Sequence, residues 1–292
     1  MILKDVRRNK FKTGLIVTLF FIFITLLVYF VSLLFFEDPV IAVVIGLAFA
    51  SFSAIISYYN SDKMILGISN ARPATREEFL QLNVSLESLC ISAGIPKPKL
   101  YVMDSPALNA FATGRNPKNA VVCVTTGLLN TLNKYEMEGV LGHELSHIKN
   151  YDILLSTVAI IMVGFVTILA DFCTRSLIYG NRDSDNKAGT ILMIIGLVFI
   201  VLSPIFATLL KLAISRNREY LADASSVEIT RNKEGLINAL QKLESDSTQM
   251  NINKATESLY IVNPLKDKKE KDSLWSTLPN TANRIKRLQN IK

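Results

Sequence analysis

The sequence predicts an α+β protein: a multi-pass α-helical membrane part that carries a soluble domain with a small mixed sheet and site-bearing helices. Three observations predict it. Half of the 292 residues are hydrophobic and the mean hydropathy is positive, both high for a soluble domain. Four apolar runs, residues 14–36, 40–58, 153–170 and 191–210, fall into two close pairs. Outside these pairs the composition is that of a soluble domain, with short valine-rich stretches and capped amphipathic helices.

Residues 1–13 hold Lys4, Arg7, Arg8, Lys10 and Lys12 against a single acid, Asp5. The run that follows is long enough to cross about 30 Å of hydrocarbon. It is too long for a signal-peptide core, and no small-residue cleavage site follows it. The turn Glu37-Asp38-Pro39 leads straight into the second run, so residues 1–60 are expected to form a transmembrane hairpin. Its basic tail should be cytoplasmic and its acidic turn outside. Residues 61–152 and 213–292 are expected to be two parts of one soluble domain, split by a second hydrophobic hairpin over 153–212. Arg175, Arg182 and Lys187 in the intervening loop weaken the orientation signal there, and Pro204 can kink the fourth run. A hairpin only partly sunk in the bilayer competes with a full crossing. The net charge of +7 is accounted for by basic residues flanking membrane segments. No aromatic-basic motif points to a nucleic-acid partner. Cys90, Cys123 and Cys173 are odd in number and far apart, which fits neither a metal knuckle nor a disulfide framework.

Within the soluble part, Thr75-Arg76-Glu77-Glu78 reads as a capping box. It should open a helix with Phe79, Leu82, Leu86 and Leu89 on one side, ending near Gly94. Strands are expected over 99–104, 109–114 and 120–126, and a helical connection over 127–131. Helices follow over 134–150, 215–228 and 233–244, with a solvated charge run at 266–272. There is no internal repeat.

The helix over 134–150 carries Gly142-His143-Glu144-Leu145-Ser146-His147, an H-E-x-x-H pattern. Residues i and i+4 share a helix face, so both imidazoles can reach one metal ion. Glu144 is rotated by about 100° from His143, beside the metal rather than on it, where it can take a proton from the attacking water. These are the chain's only two histidines, where roughly 2% usage would give about six. Met137, Leu141, Leu145 and Ile148 form an apolar stripe on the opposite side, so packing alone does not account for the histidines. A catalytic zinc site has three protein ligands and an open position. No histidine remains and the cysteines are poorly placed, so the third should be a carboxylate. Glu219 and Asp223, one turn apart on the helix over 215–228, are the candidates. Glu219 could bind the metal, and Asp223 could hold a ligating histidine by its other ring nitrogen. A solvated charged helix is the competing reading of the same residues.

The HtpX family is resembled at several of these points. They are Gly142–His147 with Asp152 five residues on, a hydrophobic hairpin, and then Arg218-Glu219-Tyr220-Leu221-Ala222-Asp223. The two amino-terminal hydrophobic segments, Asn109-Ala110-Phe111-Ala112-Thr113-Gly114 and Tyr260-Ile261-Val262-Asn263-Pro264 extend the resemblance over nearly the whole chain. HtpX is a bacterial membrane zinc endopeptidase related to the CAAX prenyl endopeptidases. The resemblance implies a zincin-like metalloprotease domain with one Zn2+ per chain, His143, His147 and Glu219 as ligands, and Glu144 as catalytic base. Asp223, Asp152 and Arg284 become candidates for supporting the ligands or the transition state. It further implies a multi-pass protein of the bacterial cytoplasmic (inner) membrane with a cytoplasmic active site. Its role there would be stress-linked quality control, cleaving misfolded or damaged membrane proteins. Oligomeric state stays open. A peptide substrate would lie extended across the metal, and Asn109, Ala110, Phe111 and Ala112 are the edge-strand candidates to pair with it. For Phe111 and Ala112 core packing is an equal alternative.

One position departs from the family. The family reads Thr-His-Pro near the carboxy terminus, with an arginine six residues after the histidine. This chain reads Ser276-Thr277-Leu278-Pro279, then Arg284. Leu278 cannot donate a hydrogen bond to an oxyanion, and losing one such donor typically costs about 10²–10³ in rate. A catalytically weakened zinc-binding membrane protein or scaffold is therefore the alternative function, although the intact Glu144 argues against it. A protease with its motif inside a membrane helix is a second alternative. Lys134, Glu136, Glu138, Lys149 and Asn150 around the motif count against it.

Overall fold

The structure, a computed structural model, describes residues 2–35, 58–160, 216–250, 256–265 and 278–291, together with 44, 48, 51–52, 55 and 252–253. The turn at 37–39, most of the second hydrophobic run, the third run beyond 160, the fourth run and the charge run at 266–272 lie outside the described residues. The chain divides into two compact units. One comprises residues 1–10, 61–157 and 214–292; the other comprises 11–60 and 158–213. Helix α1 (Ile2–Phe35) begins inside the basic tail, twelve residues before the apolar run at 14–36 expected to be helical. Although α1 carries most of that run, among the described residues no helix is both long and apolar enough to cross a membrane.

After the first residues of α1, the first unit continues with α2 (Ser61–Ile68) and the short strand β1 (Ala71–Pro73). Helix α3 (Arg76–Ala93) starts at the expected box: the Thr75 hydroxyl accepts from the Glu78 amide, and the Thr75 amide donates to Glu78 Oε2 at 2.7 Å. It stops at Gly94, whose left-handed φ of 70° only glycine adopts at little cost. Leu82, Leu86 and Leu89 are buried as the spacing requires. Phe79 is not part of that buried stripe; it is 38% exposed, with the Lys97 ammonium over its ring at 5.6 Å.

Strands β2 (Lys99–Met103), β3 (Ala110–Gly114) and β4 (Ala120–Thr125) join β1 in a sheet of order β1-β2-β4-β3. The β2–β4 pair is parallel and the outer pairs are antiparallel, which makes the sheet mixed. Every residue of β4 is buried, the pattern of a central strand covered on both faces. Pro73 is tolerated because β1 is an edge. At the other edge lies β3. Asn109 O accepts from the Thr125 amide, so by the alternation of an antiparallel ladder Ala110 and Ala112 turn their backbone polar groups away from β4. Ala110 O is taken by the Ile261 amide at 3.1 Å.

Beyond the short α4 (Thr126–Thr131) comes α5 (Lys134–Lys149), capped by an Asn133–Glu136 box and buried along most of its length. Helices α6 (Arg216–Thr230) and α7 (Lys233–Ser245) pack against it, and α8 (Thr281–Gln289) closes the unit. Small residues set how closely α5 is approached. A methyl group on Gly139 would lie 2.6 Å from the Leu236 amide nitrogen and 2.7 Å from its Cα, on the α7 backbone. One on Gly142 would lie 2.8 Å from Ser226 Oγ on α6, and that hydroxyl donates to Gly139 O at 2.7 Å. Gly139→Ala gains about 1 kcal/mol of helix propensity. It meets backbone that cannot rotate away, and overpacking of this kind costs about 1–3 kcal/mol. Net destabilisation is the expected result of chemical denaturation; a stabilised variant would show that α7 can retreat freely.

Candidate metal centre

Helix α5 presents His143 and His147 one turn apart, with their Nε2 atoms 3.1 Å from each other. Helix α6 brings up Glu219, with Oε2 3.4 Å from His143 Nε2 and Oε1 3.6 Å from His147 Nε2. Ligand atoms of these three residues all lie within 4.8 Å of one another, a group that could hold a metal ion. Four ligands at about 2.0–2.1 Å around a tetrahedral ion sit roughly 3.3 Å apart, close to the spacings found here.

The far nitrogen of each imidazole is anchored. His143 Nδ1 is 2.9 Å from Asp223 Oδ1, and His147 Nδ1 is 3.0 Å from Asp152 Oδ2. A ring that donates from Nδ1 to a carboxylate keeps its lone pair on Nε2. Two such lone pairs 3.1 Å apart repel unless positive charge lies between them. The surroundings ask for the same thing. Glu144, Asp152, Glu219 and Asp223 set four carboxylates against the guanidiniums of Arg218 and Arg284.

Electrostatics separate the two glutamates. Burial opposes ionisation of Glu219, but the flanking imidazoles outweigh it and hold its pKa well below the usual carboxylate range. For Glu144, burial dominates and pushes the pKa up. Glu144 is 1% exposed, and its Oε2 has no hydrogen-bond partner among the described residues. A cavity of about 30 Å³, room for roughly one water, is lined by Ala112, Glu144, His147, Arg218, Glu219 and Ser258, among others. Ser258 was not expected from the sequence. Its hydroxyl is buried and, among the described residues, has no hydrogen-bond partner; its one signal is its place just before the Tyr260–Pro264 stretch.

The remaining candidates fall behind or beside this centre. Arg284, 1% exposed, grips Asp223 with Nε at 2.8 Å and Nη2 at 2.6 Å, and donates from Nη1 to Ile261 O at 2.6 Å. Its fork is thus directed at the carboxylate that holds His143. Burial opposes ionisation of Asp223, yet Arg284 outweighs it and keeps the carboxyl below its ordinary range. Phe111 is buried edge-on against Tyr260, with ring centroids 5.2 Å apart, and Asn109 is spent on Val262 O at 3.0 Å. Ala110 is tied to Ile261, so of the edge-strand candidates Ala112 is the one that lines the cavity. Leu278 is buried, at 9% exposure. Arg284→Met is expected to destabilise the metal-free protein by about 3–5 kcal/mol, because it leaves the buried Asp223 carboxylate with His143 but without its guanidinium partner. Denaturant unfolding measures it, and a cost below about 1 kcal/mol would mean that Asp223 finds another partner.

An H-E-x-x-H helix on a small mixed sheet, completed by a carboxylate from a later helix, defines a metallopeptidase. The pattern of Peptidase family M48 matches residues 76–292. A protein described as "Protease HtpX homolog" from Listeria monocytogenes serotype 4a (strain HCC23) is 41% identical over 304 residues, covering all of both chains. Another so described, from Dictyoglomus thermophilum, is 46% identical over 97% of this chain and 93% of its own. The chain belongs to peptidase family M48 and, within it, to the HtpX proteases. The crystal structure of S. mikatae Ste24p shares the fold, with a TM-score of 0.51 and 20% identity over 98% of this chain and 66% of that one.

Proposed function

We propose that this chain is a zinc-dependent membrane endopeptidase that cleaves misfolded or damaged membrane proteins on the cytoplasmic side of the bacterial inner membrane. The observation that carries the reading is the convergence of His143, His147 and Glu219 on one point, with the buried Glu144 beside it. The excess of negative charge and the anchored imidazoles fit a divalent metal, and the nitrogen-and-carboxylate donor set fits zinc. Zinc, when bound, supplies a Lewis acid that activates water and polarises a peptide carbonyl. Glu144 takes the proton of the attacking water and passes it to the leaving amine. Asp152 and Asp223 fix the tautomer and aim of His147 and His143, and Arg284 holds Asp223 in place. An extended peptide pairs with the outward-facing backbone of Ala112, a contact that tolerates varied side chains and so suits unfolded substrates. The membrane reading rests on the hydrophobic pairs 1–60 and 153–212, and the cytoplasmic orientation on the basic residues of the tail.

The test is cleavage by the purified protein in detergent. A destabilised membrane protein and its stable parent serve as substrates, each with zinc and with a chelator. Cleavage should require zinc, vanish with the chelator, return when zinc is restored, and favour the destabilised substrate. Undiminished cleavage under chelation would refute the zinc mechanism. Equal rates on both substrates would refute the preference for damaged proteins.

A further inference from the structure

We infer that Asn9, in the amino-terminal tail, is a positioning residue of the metal centre. This rests on the proposed zinc site and extends it by one further contact. The tail reads in sequence only as a source of positive charge, and Arg7, Arg8 and Lys10 are indeed exposed. Asn9 among them is 4% exposed. Its side-chain amide donates to Asp152 Oδ1 at 2.7 Å and to the Asn150 carbonyl at 2.9 Å. Both partners are acceptors, so the amide nitrogen must face them and both of its hydrogens are used. The other oxygen of Asp152 faces His147 Nδ1 at 3.0 Å. Asn9, Asp152 and His147 therefore form one chain of hydrogen bonds ending on a ligand of the metal site. Asp152 opens the helical stretch after the backbone at Tyr151 turns through a left-handed φ of 59°. Asp152 Oδ1 is held from two sides, by Asn9 from 143 residues away in the chain and, at the longer distance of 3.4 Å, by Arg218 Nε. No other side chain of its size has two donors and no charge: leucine lacks the donors, and aspartate would set a carboxylate against Asp152.

Zinc titration of the full-length, metal-stripped protein in detergent, in competition with a chromogenic chelator, tests the inference. Removing an outer partner of a metal ligand typically costs about 10–100-fold in affinity. Asn9→Leu should weaken zinc binding by about 10-fold and Asn9→Asp by more, with kcat reduced and KM for the peptide within about twofold. Lys10→Met, which removes only the ammonium lying over the Tyr151 ring at 4.3 Å, should leave zinc affinity unchanged. The inference is overturned if both Asn9 variants bind zinc like the parent. It is also overturned if Lys10→Met weakens binding as much as they do, since generic docking of the tail would then explain the effect. Should Asn9→Leu fail to fold, Asn9→Asp against Lys10→Met discriminates in the same way. Failure of the unsubstituted protein to bind zinc would instead bring down the metal centre itself.

Discussion

Glu144→Gln is expected to abolish measurable proteolysis, a loss of about 10²–10⁴-fold, while zinc stays bound at its original stoichiometry. The substitution keeps size and shape and removes the ability to accept a proton. Glu144 lies outside the group of three residues that converge on the metal position, so metal affinity should survive. Its chemistry should not. Burial lifts its pKa above the usual carboxylate range, the direction that makes a carboxylate a stronger general base. Its Oε2 lacks a partner among the described residues, which leaves that oxygen available to the reaction rather than to structure. Side-by-side assays with contaminating proteases excluded, and metal analysis of the same samples, decide the matter. Full activity in the variant would remove Glu144 from the mechanism.

Glu219→Ala should act at the other step, by expelling the metal. Loss of a direct ligand should exceed the 10–100-fold typical of an outer partner, so zinc affinity should fall by more than about 10²-fold. With the carboxylate gone, the two Nε2 lone pairs face each other at 3.1 Å without their acidic companion. Activity falls in both variants, and metal content tells them apart. Unchanged zinc stoichiometry and affinity in Glu219→Ala would take Glu219 out of the ligand set.

What is visible in the sequence, and what is not, follows from range. Local signals are reliable: the Thr75 box, the Gly94 stop and the i, i+4 histidines depend on neighbours within one or two turns, and each occurs where the spacing places it. Strand β1 escapes because three residues containing Pro73 carry no alternation. Helix α8 escapes too: it is short and basic, and it is held by Arg284 through contacts with Asp223 and Ile261 that no local pattern encodes. Phe79 has the right period but sits at the margin of its stripe, where the Lys97 side chain covers it instead of the core. The pairing of Glu219 with the histidines needs the tertiary structure, as does the link from Asn9, because their partners lie far off in sequence.

The seam of Gly139, Gly142 and Ser226 governs how the two halves of the site are joined. Helix α6 is held at its distance and register by contact with α5, and Glu219 is carried to the histidines by that contact. Of the covalent path between the ligands, Asp152 at its start holds His147 by Nδ1 at 3.0 Å. The length of that path adds to the free energy of joining the two helices through chain closure, which grows as a logarithm and adds roughly 0.6 kcal/mol for each doubling. A long apolar insertion beyond Asp152 therefore costs little, while the two helices that carry the ligands are kept in register by three small residues.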